Sequence, residues 1–121
     1  MIQGRIVKMQ PIIGVTFRLP GHPDLELEFV MDTGFAGALT LPPNAVAALG
    51  LPYREERIMN LADDSPLEVR THTAEIVWNA GKYLAPVQAM GVRPLLGMLL
   101  LKGYHLDADF EEGKPFTLTK L

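Results

Sequence analysis

Phe29-Val30-Met31-Asp32-Thr33-Gly34 is an apolar run that ends in a carboxylate, a hydroxyl and a glycine, and it decides how the rest of the chain is read. Upstream of it, Leu25, Leu27, Phe29 and Met31 alternate with Glu26, Glu28, Val30 and Asp32. That two-residue period marks a strand with one buried face. Glu26 and Glu28 suit solvent, whereas Val30 does not, so the strand becomes buried on both sides toward its end. This pattern predicts that Asp32 sits where burial is greatest. Before it, Ile13, Val15, Phe17 and Leu19 keep the same alternation until Pro20, Gly21 and Pro23 break it, so the two runs read as a hairpin.

Outward from this hairpin the chain is a series of short strands cut by Gly and Pro. Ala38 to Leu41 is a short apolar strand. Pro42-Pro43 and Gly50 bracket Ala45-Val46-Ala47-Ala48-Leu49, with proline at the start and glycine at the end as a short helix requires. Arg57 to Ala62 and Leu67 to Trp78 flank the turn-forming Asp63-Asp64-Ser65-Pro66, predicting a long hairpin whose tip projects from the body. A turn at Asn79-Ala80-Gly81-Lys82 leads into Tyr83 to Met90. Leu95-Leu96-Gly97 opens an apolar stretch closed by Gly103, with a short helix over Met98 to Lys102. Tyr104, Leu106, Ala108 and Phe110 alternate with His105, Asp107 and Asp109, and Phe116 to Leu121 forms a last strand after the Glu111-Glu112-Gly113-Lys114 turn. The expected fold class is all-β, a closed barrel with one or two short helices. Residues 1–121 fit one domain, because a chain of this length supports one hydrophobic core and not two.

Composition narrows the function. A net charge of −3 with scattered Lys and Arg lacks the electrostatic footprint of a nucleic-acid binder. The absence of cysteine excludes disulfides, cysteine-based zinc sites and a thiol nucleophile. Arg5 and Lys8 interrupt the first ten residues, so no signal-peptide core is read there, and no apolar run approaches the roughly 20 residues needed to cross a bilayer. A cytoplasmic protein with no membrane or nucleic-acid partner is expected.

The chemistry of Asp32-Thr33-Gly34 follows from its parts. Burial disfavours an ionised carboxylate, a nearby amide N–H favours it, and a glycine without a Cβ lets a peptide backbone approach closely. Two such carboxylates a few ångströms apart share one proton, since like charges at that distance do not both ionise. One member then acts as base toward water and the other as acid toward a carbonyl, with no metal or cofactor required.

Val30-Met31-Asp32-Thr33-Gly34, with Leu95-Leu96-Gly97 far downstream, resembles the retropepsin-like aspartic proteases. The longer string Asp32-Thr33-Gly34-Phe35-Ala36-Gly37-Ala38-Leu39-Thr40-Leu41-Pro42 is more similar to small single-domain bacterial and archaeal members than to viral ones. The resemblance implies that Asp32 is the catalytic acid/base and that Thr33 locks two active-site loops across a dimer axis. It further implies that Gly34, beside Phe35, faces substrate, that Leu95, Leu96 and Gly97 form the supporting second motif, and that Ala62, Asp63, Asp64, Ser65 and Pro66 lie at a flap tip. One Asp-Thr-Gly motif in one domain-sized chain implies a homodimer, with the second carboxylate supplied by symmetry. Contact through the Asp-Thr-Gly loops and the terminal strands is expected, with a peptide or protein substrate held extended between the chains. The rival is a non-catalytic dimeric module that keeps the barrel for peptide binding or assembly. Its support is the flap tip, acidic and without the glycines of viral flaps.

Other candidates carry less. Asp107, Asp109, Glu111 and Glu112 read as a solvated surface rather than a metal site, and His22, His72 and His105 match no zinc motif. Ser65 has no base in view, and Gly34-Phe35-Ala36-Gly37 lacks the ending of a phosphate loop. Trp78 and Tyr83 flank a turn and are expected to pack within their hairpin.

Overall fold

Alternating and apolar runs as short as these cannot bury their faces alone, and the chain resolves the problem by curling one sheet into a closed wall. The computed structural model describes residues 1–121. It contains ten strands and two short helices: β1 (Ile2–Val7), β2 (Gln10–Arg18), β3 (Leu25–Met31), β4 (Leu39–Leu41), α1 (Pro43–Leu49), β5 (Tyr53–Asn60), β6 (Pro66–Trp78), β7 (Gly81–Ala89), β8 (Leu95–Leu96), α2 (Met98–Leu101), β9 (Tyr104–Ala108) and β10 (Pro115–Lys120). The mainly β fold expected from the pattern is the one observed. No helix is long and apolar enough to cross a membrane.

The sheet runs β5-β6-β7-β4-β8-β3-β2-β1-β10-β9, and β6 also pairs with β2. That extra pairing closes a ring of β2, β3, β8, β4, β7 and β6. One edge of β2 is shared: Gly4 to Val7 of β1 pair with its first half, and Glu75 to Val77 of β6 pair with Thr16 to Arg18. Two extensions leave the ring, the β5–β6 hairpin and the three-stranded layer β1-β10-β9.

Inside the ring the alternating residues meet. Phe17 and Phe29 are fully buried and stack with ring centroids 5.9 Å apart, joined by Ile13, Val15, Leu39, Ile76, Val87 and Leu96. Burying one such side chain contributes roughly 1.5–3 kcal/mol, so these positions dominate stability. The predicted β2–β3 hairpin is present, and its register sets Ile13 opposite Phe29 and Val15 opposite Leu27. Helix α1 ends as its sequence signals: Gly50 is left-handed at φ 64° and its N–H donates to the Ala47 carbonyl.

Strand β1 is the element that alternation did not reveal. Gly4 interrupts its apolar row, and the interruption is structural: a Cβ at Gly4 would run into the Phe116 ring and the Ile12 carbonyl. The terminal strands also differ from expectation. Strand β10 lies between β1 and β9, and β1 lies between β2 and β10, so both edges of each are occupied within one chain. They have no free edge to offer a partner.

Candidate functional site

Strand β3 ends at Met31, and the turn that follows is fastened to β8 from the far end of the chain. Strand β8 is inserted between β3, which it joins in parallel through Val30 opposite Leu95 and Met31 opposite Leu96, and β4, which it joins antiparallel through Leu39 opposite Leu96. The Asp32 N–H donates to the Leu96 carbonyl at 2.8 Å. Past it, Gly97 N–H donates to Ala38 O at 2.9 Å, Met98 N–H to Phe35 O at 2.8 Å and Leu99 N–H to Gly37 O at 3.1 Å. The Asp-Thr-Gly loop and the Leu-Leu-Gly segment therefore form one hydrogen-bonded unit.

Glycine is needed at this crossing for space. A Cβ at Gly97 would collide with the carbonyl oxygens of Phe35 and Gly37 and with the Phe35 ring. Phe35 is 8 % exposed and its ring also covers Gly37, so it packs inward instead of facing a cleft beside Gly34.

The Asp32 carboxylate is held in place locally. Its Oδ1 accepts the Gly34 N–H at 2.8 Å, and its backbone carbonyl accepts the Phe35 N–H at 3.2 Å. No cation pairs with it. Asp32 is half-buried, and Thr33 and Gly34 beside it are exposed. The alternation placed the deepest burial at Asp32, but the structure places it at Phe29, and Asp32 lies on the rim. The reason is that the chain leaves the sheet at Met31 and turns outward, which a strand pattern does not encode.

Two polar residues at the site escaped the sequence reading. Thr40, 2 % exposed, accepts the Leu95 N–H on its Oγ1 at 3.0 Å and so holds β8 against β4. A hydroxyl inside the wholly apolar Leu39-Thr40-Leu41 was the available signal, because a buried hydroxyl needs a partner. Gln88 is 4 % exposed, its Oε1 lies close to Gly37, and it has no hydrogen-bond partner. Its neighbour across the β6–β7 pair, Thr71, has an unpaired buried Oγ1 as well.

The β5–β6 hairpin projects as predicted. At its tip the Asp64 N–H donates to Leu61 O and the Leu61 N–H to Ser65 O, both at 2.9 Å, with Asp64 left-handed at φ 63°. Asp63 accepts hydrogen bonds from the Ser65 hydroxyl and N–H, and these hold its carboxyl below the ordinary value. Ala62 to Ser65 form the turn itself, whereas Pro66 already pairs with Asn60 as the first residue of β6. On one face of the hairpin Val69 and Thr71 are buried, and on the other Glu56 hydrogen-bonds Glu68 and repels it, raising the Glu68 carboxyl above its ordinary value.

The three main clefts of the single chain do not include Asp32; one, of about 320 Å³, lies between Arg18, Leu51, Thr73 and Leu84. Trp78, expected to pack within its own hairpin, stacks on Tyr104 of β9 with ring centroids 5.9 Å apart. No three acidic or histidine side chains gather closely enough to hold a metal ion.

A closed, mainly β wall in which an Asp-Thr-Gly loop crosses a Leu-Leu-Gly segment is the retropepsin-like fold. A solved structure of this kind is similar over nearly the whole chain: the crystal structure of a retropepsin-like aspartic protease from Rickettsia conorii aligns with a TM-score of 0.63, covering 95% of this chain and 88% of that one. Sequence identity is 18%, so the likeness is one of fold. No protein-family model matches the sequence, and no curated protein matches it.

Proposed function

We propose that the protein is an aspartic endopeptidase, working as a homodimer in which Asp32 of each chain supplies half of a carboxylate pair. The observation that carries this reading is the anchoring of Asp32: its backbone is tied to Leu96, one carboxylate oxygen accepts the Gly34 N–H, and the other takes no hydrogen bond from the chain. A carboxylate so held, on an exposed rim, is oriented toward whatever lies opposite. A second copy related by a twofold axis sets an identical group there.

In the pair one carboxyl is protonated and one is not. The ionised member removes a proton from a water placed between them as that water's oxygen bonds to the peptide carbonyl carbon, while the protonated member gives its proton to the carbonyl oxygen. The resulting gem-diol collapses as one hydroxyl gives its proton to the now ionised carboxylate and the protonated carboxyl gives its proton to the amide nitrogen, breaking the C–N bond and restoring the pair. Thr33 locks the two loops together, Gly34 leaves room for the substrate backbone, and the β5–β6 hairpin covers the groove with the tip Ala62 to Pro66. An extended peptide adds as a strand between hairpin and rim.

The test is Asp32→Asn. Cleavage of a peptide library from about pH 3 to pH 7 is expected to disappear in the variant while the dimer persists. The acidic, glycine-free tip supports the alternative of a non-catalytic peptide-binding dimer. That reading requires an uncut library with binding retained in both wild type and Asp32→Asn.

A further inference from the structure

The β6–β7 turn, the end of α2 and the adjoining ends of β9 and β10 enclose a cleft of about 360 Å³. That volume lies within the range of roughly 300–1,000 Å³ usual for small-molecule sites. Three half-buried aromatic side chains wall it, Trp78 stacked on Tyr104 and Tyr83 from the far side of the turn, each packed against the core from behind. Leu99 and Leu100 of α2 add apolar surface.

The polar side chains of this cleft are of one kind. Lys82, Lys102 and Lys120 line it and no carboxylate does, although the chain as a whole carries a net charge of −3. Lys82 is compensated by Glu75 at 2.8 Å. Lys102 and Lys120 join no ion pair within the chain. The strand register brings these two together: Lys120 lies opposite Tyr104, and the next N–H, of Leu121, donates to the carbonyl of Gly103 at 2.9 Å, beside Lys102. The Asn79 Oδ1 already accepts from the Met1 nitrogen at 3.3 Å, which leaves its NH2 group to donate. The Trp78 indole N–H and the Tyr83 and Tyr104 hydroxyls have no hydrogen-bond partner within the chain either.

Two uncompensated ammonium groups, unused donors and aromatic walls are complementary to a ligand with the reverse features, namely negative charge, acceptor oxygens and a flat ring. Two ammonium groups balance a dianion, and a phosphate monoester carries a charge of about −1.5 to −2 at pH 7. Lysine, a compact point charge, suits such a group. We infer that this cleft binds a small phosphate monoester that bears a planar ring, with the phosphate held by Lys102 and Lys120 and the ring against the aromatic wall. Asp32, Thr33, Gly34 and the hairpin tip lie outside the lining, so binding here stands or falls separately from peptidase activity.

Trp78 is the only tryptophan, so its fluorescence reports on the cleft. The test titrates adenosine monophosphate and phenyl phosphate into wild type and into the Lys102→Gln/Lys120→Gln variant, with adenosine, phenol and inorganic phosphate as the separated halves and circular dichroism confirming the fold. A saturable response of wild type to at least one ester is expected, weakened about tenfold or more in the variant and for either half alone, because the charge-assisted bonds are the strong ones. A second variant, Lys8→Gln/Lys114→Gln, removes the same charge away from the cleft and is expected to bind as wild type does. Tighter binding of adenosine monophosphate assigns a nucleotide ring, and tighter binding of phenyl phosphate a small aryl ester; either upholds the site. No saturable response to either ester, an ester held as tightly by the Lys102→Gln/Lys120→Gln variant as by wild type, a half held as tightly as its ester, or equal weakening in the two variants overturns it.

Discussion

The N–H of Asp32 and the carbonyl of Leu96 lie 2.8 Å apart, far from each other in the chain, and this bond fastens the turn after β3 to the segment that precedes α2. Around it the two loops approach so closely that position 97 has no room for a side chain, and consequences there and elsewhere in the chain can be measured.

Gly97→Ala places a methyl group against the carbonyl oxygens of Phe35 and Gly37, which are backbone atoms and cannot swing aside. A loss of roughly 1–3 kcal/mol is expected, the usual cost of overpacking a filled site. Thermal unfolding of the variant reads it directly, and an unchanged midpoint would show that the crossing is looser than described.

Thr40→Val keeps the volume but removes the acceptor for the Leu95 N–H. Leaving that donor without a partner costs about 1–3 kcal/mol. Urea titration is expected to show a lowered midpoint at constant slope, with faster hydrogen exchange at the Leu95 amide; slow exchange unaltered from wild type would exclude the bond.

Gln88→Leu has the opposite sign. The Gln88 carbonyl oxygen is buried without a partner, so replacing the amide by a hydrocarbon of similar size relieves a desolvation cost. The variant is expected to match or exceed wild-type stability in the same titration. A drop of more than about 1 kcal/mol would mean that the amide has a partner, such as an ordered water.

Glu68 is raised from its ordinary value of 4.5, first through its hydrogen bond with Glu56 and then through repulsion by it. A carboxyl raised on folding favours the hairpin below its unfolded value and loses that advantage as pH climbs through the folded one. Asp63, lowered from 3.8 by Ser65, acts the other way: its contribution is present above that value and fades as pH falls through the folded one. Carbon-detected titration by NMR is expected to show Glu68 moving toward the ordinary value in Glu56→Gln, and Asp63 doing so in Ser65→Ala. A Glu68 midpoint indifferent to Glu56→Gln would refute the pairing.

Much of the architecture was legible before any coordinates. The period-two runs of β2 and β3 encode their own hairpin, because each strand carries its apolar face in sequence and a turn joins them locally. Pro43 and Gly50 mark the ends of α1 for the same reason, since capping is a matter of adjacent residues. Tertiary structure decided what depends on residues far apart: the parallel insertion of β8 between β3 and β4, the closure of β6 onto β2, the inward turn of Phe35, the half-exposed rim position of Asp32 and the shelter of β1 beside β10. Strand periodicity reports which side of a residue is covered but not by which strand, and in a closed sheet the covering strand comes from a distant part of the chain. Hence the use of Gly4, which breaks the apolar row of β1, is evident only from the Phe116 ring that lies across it.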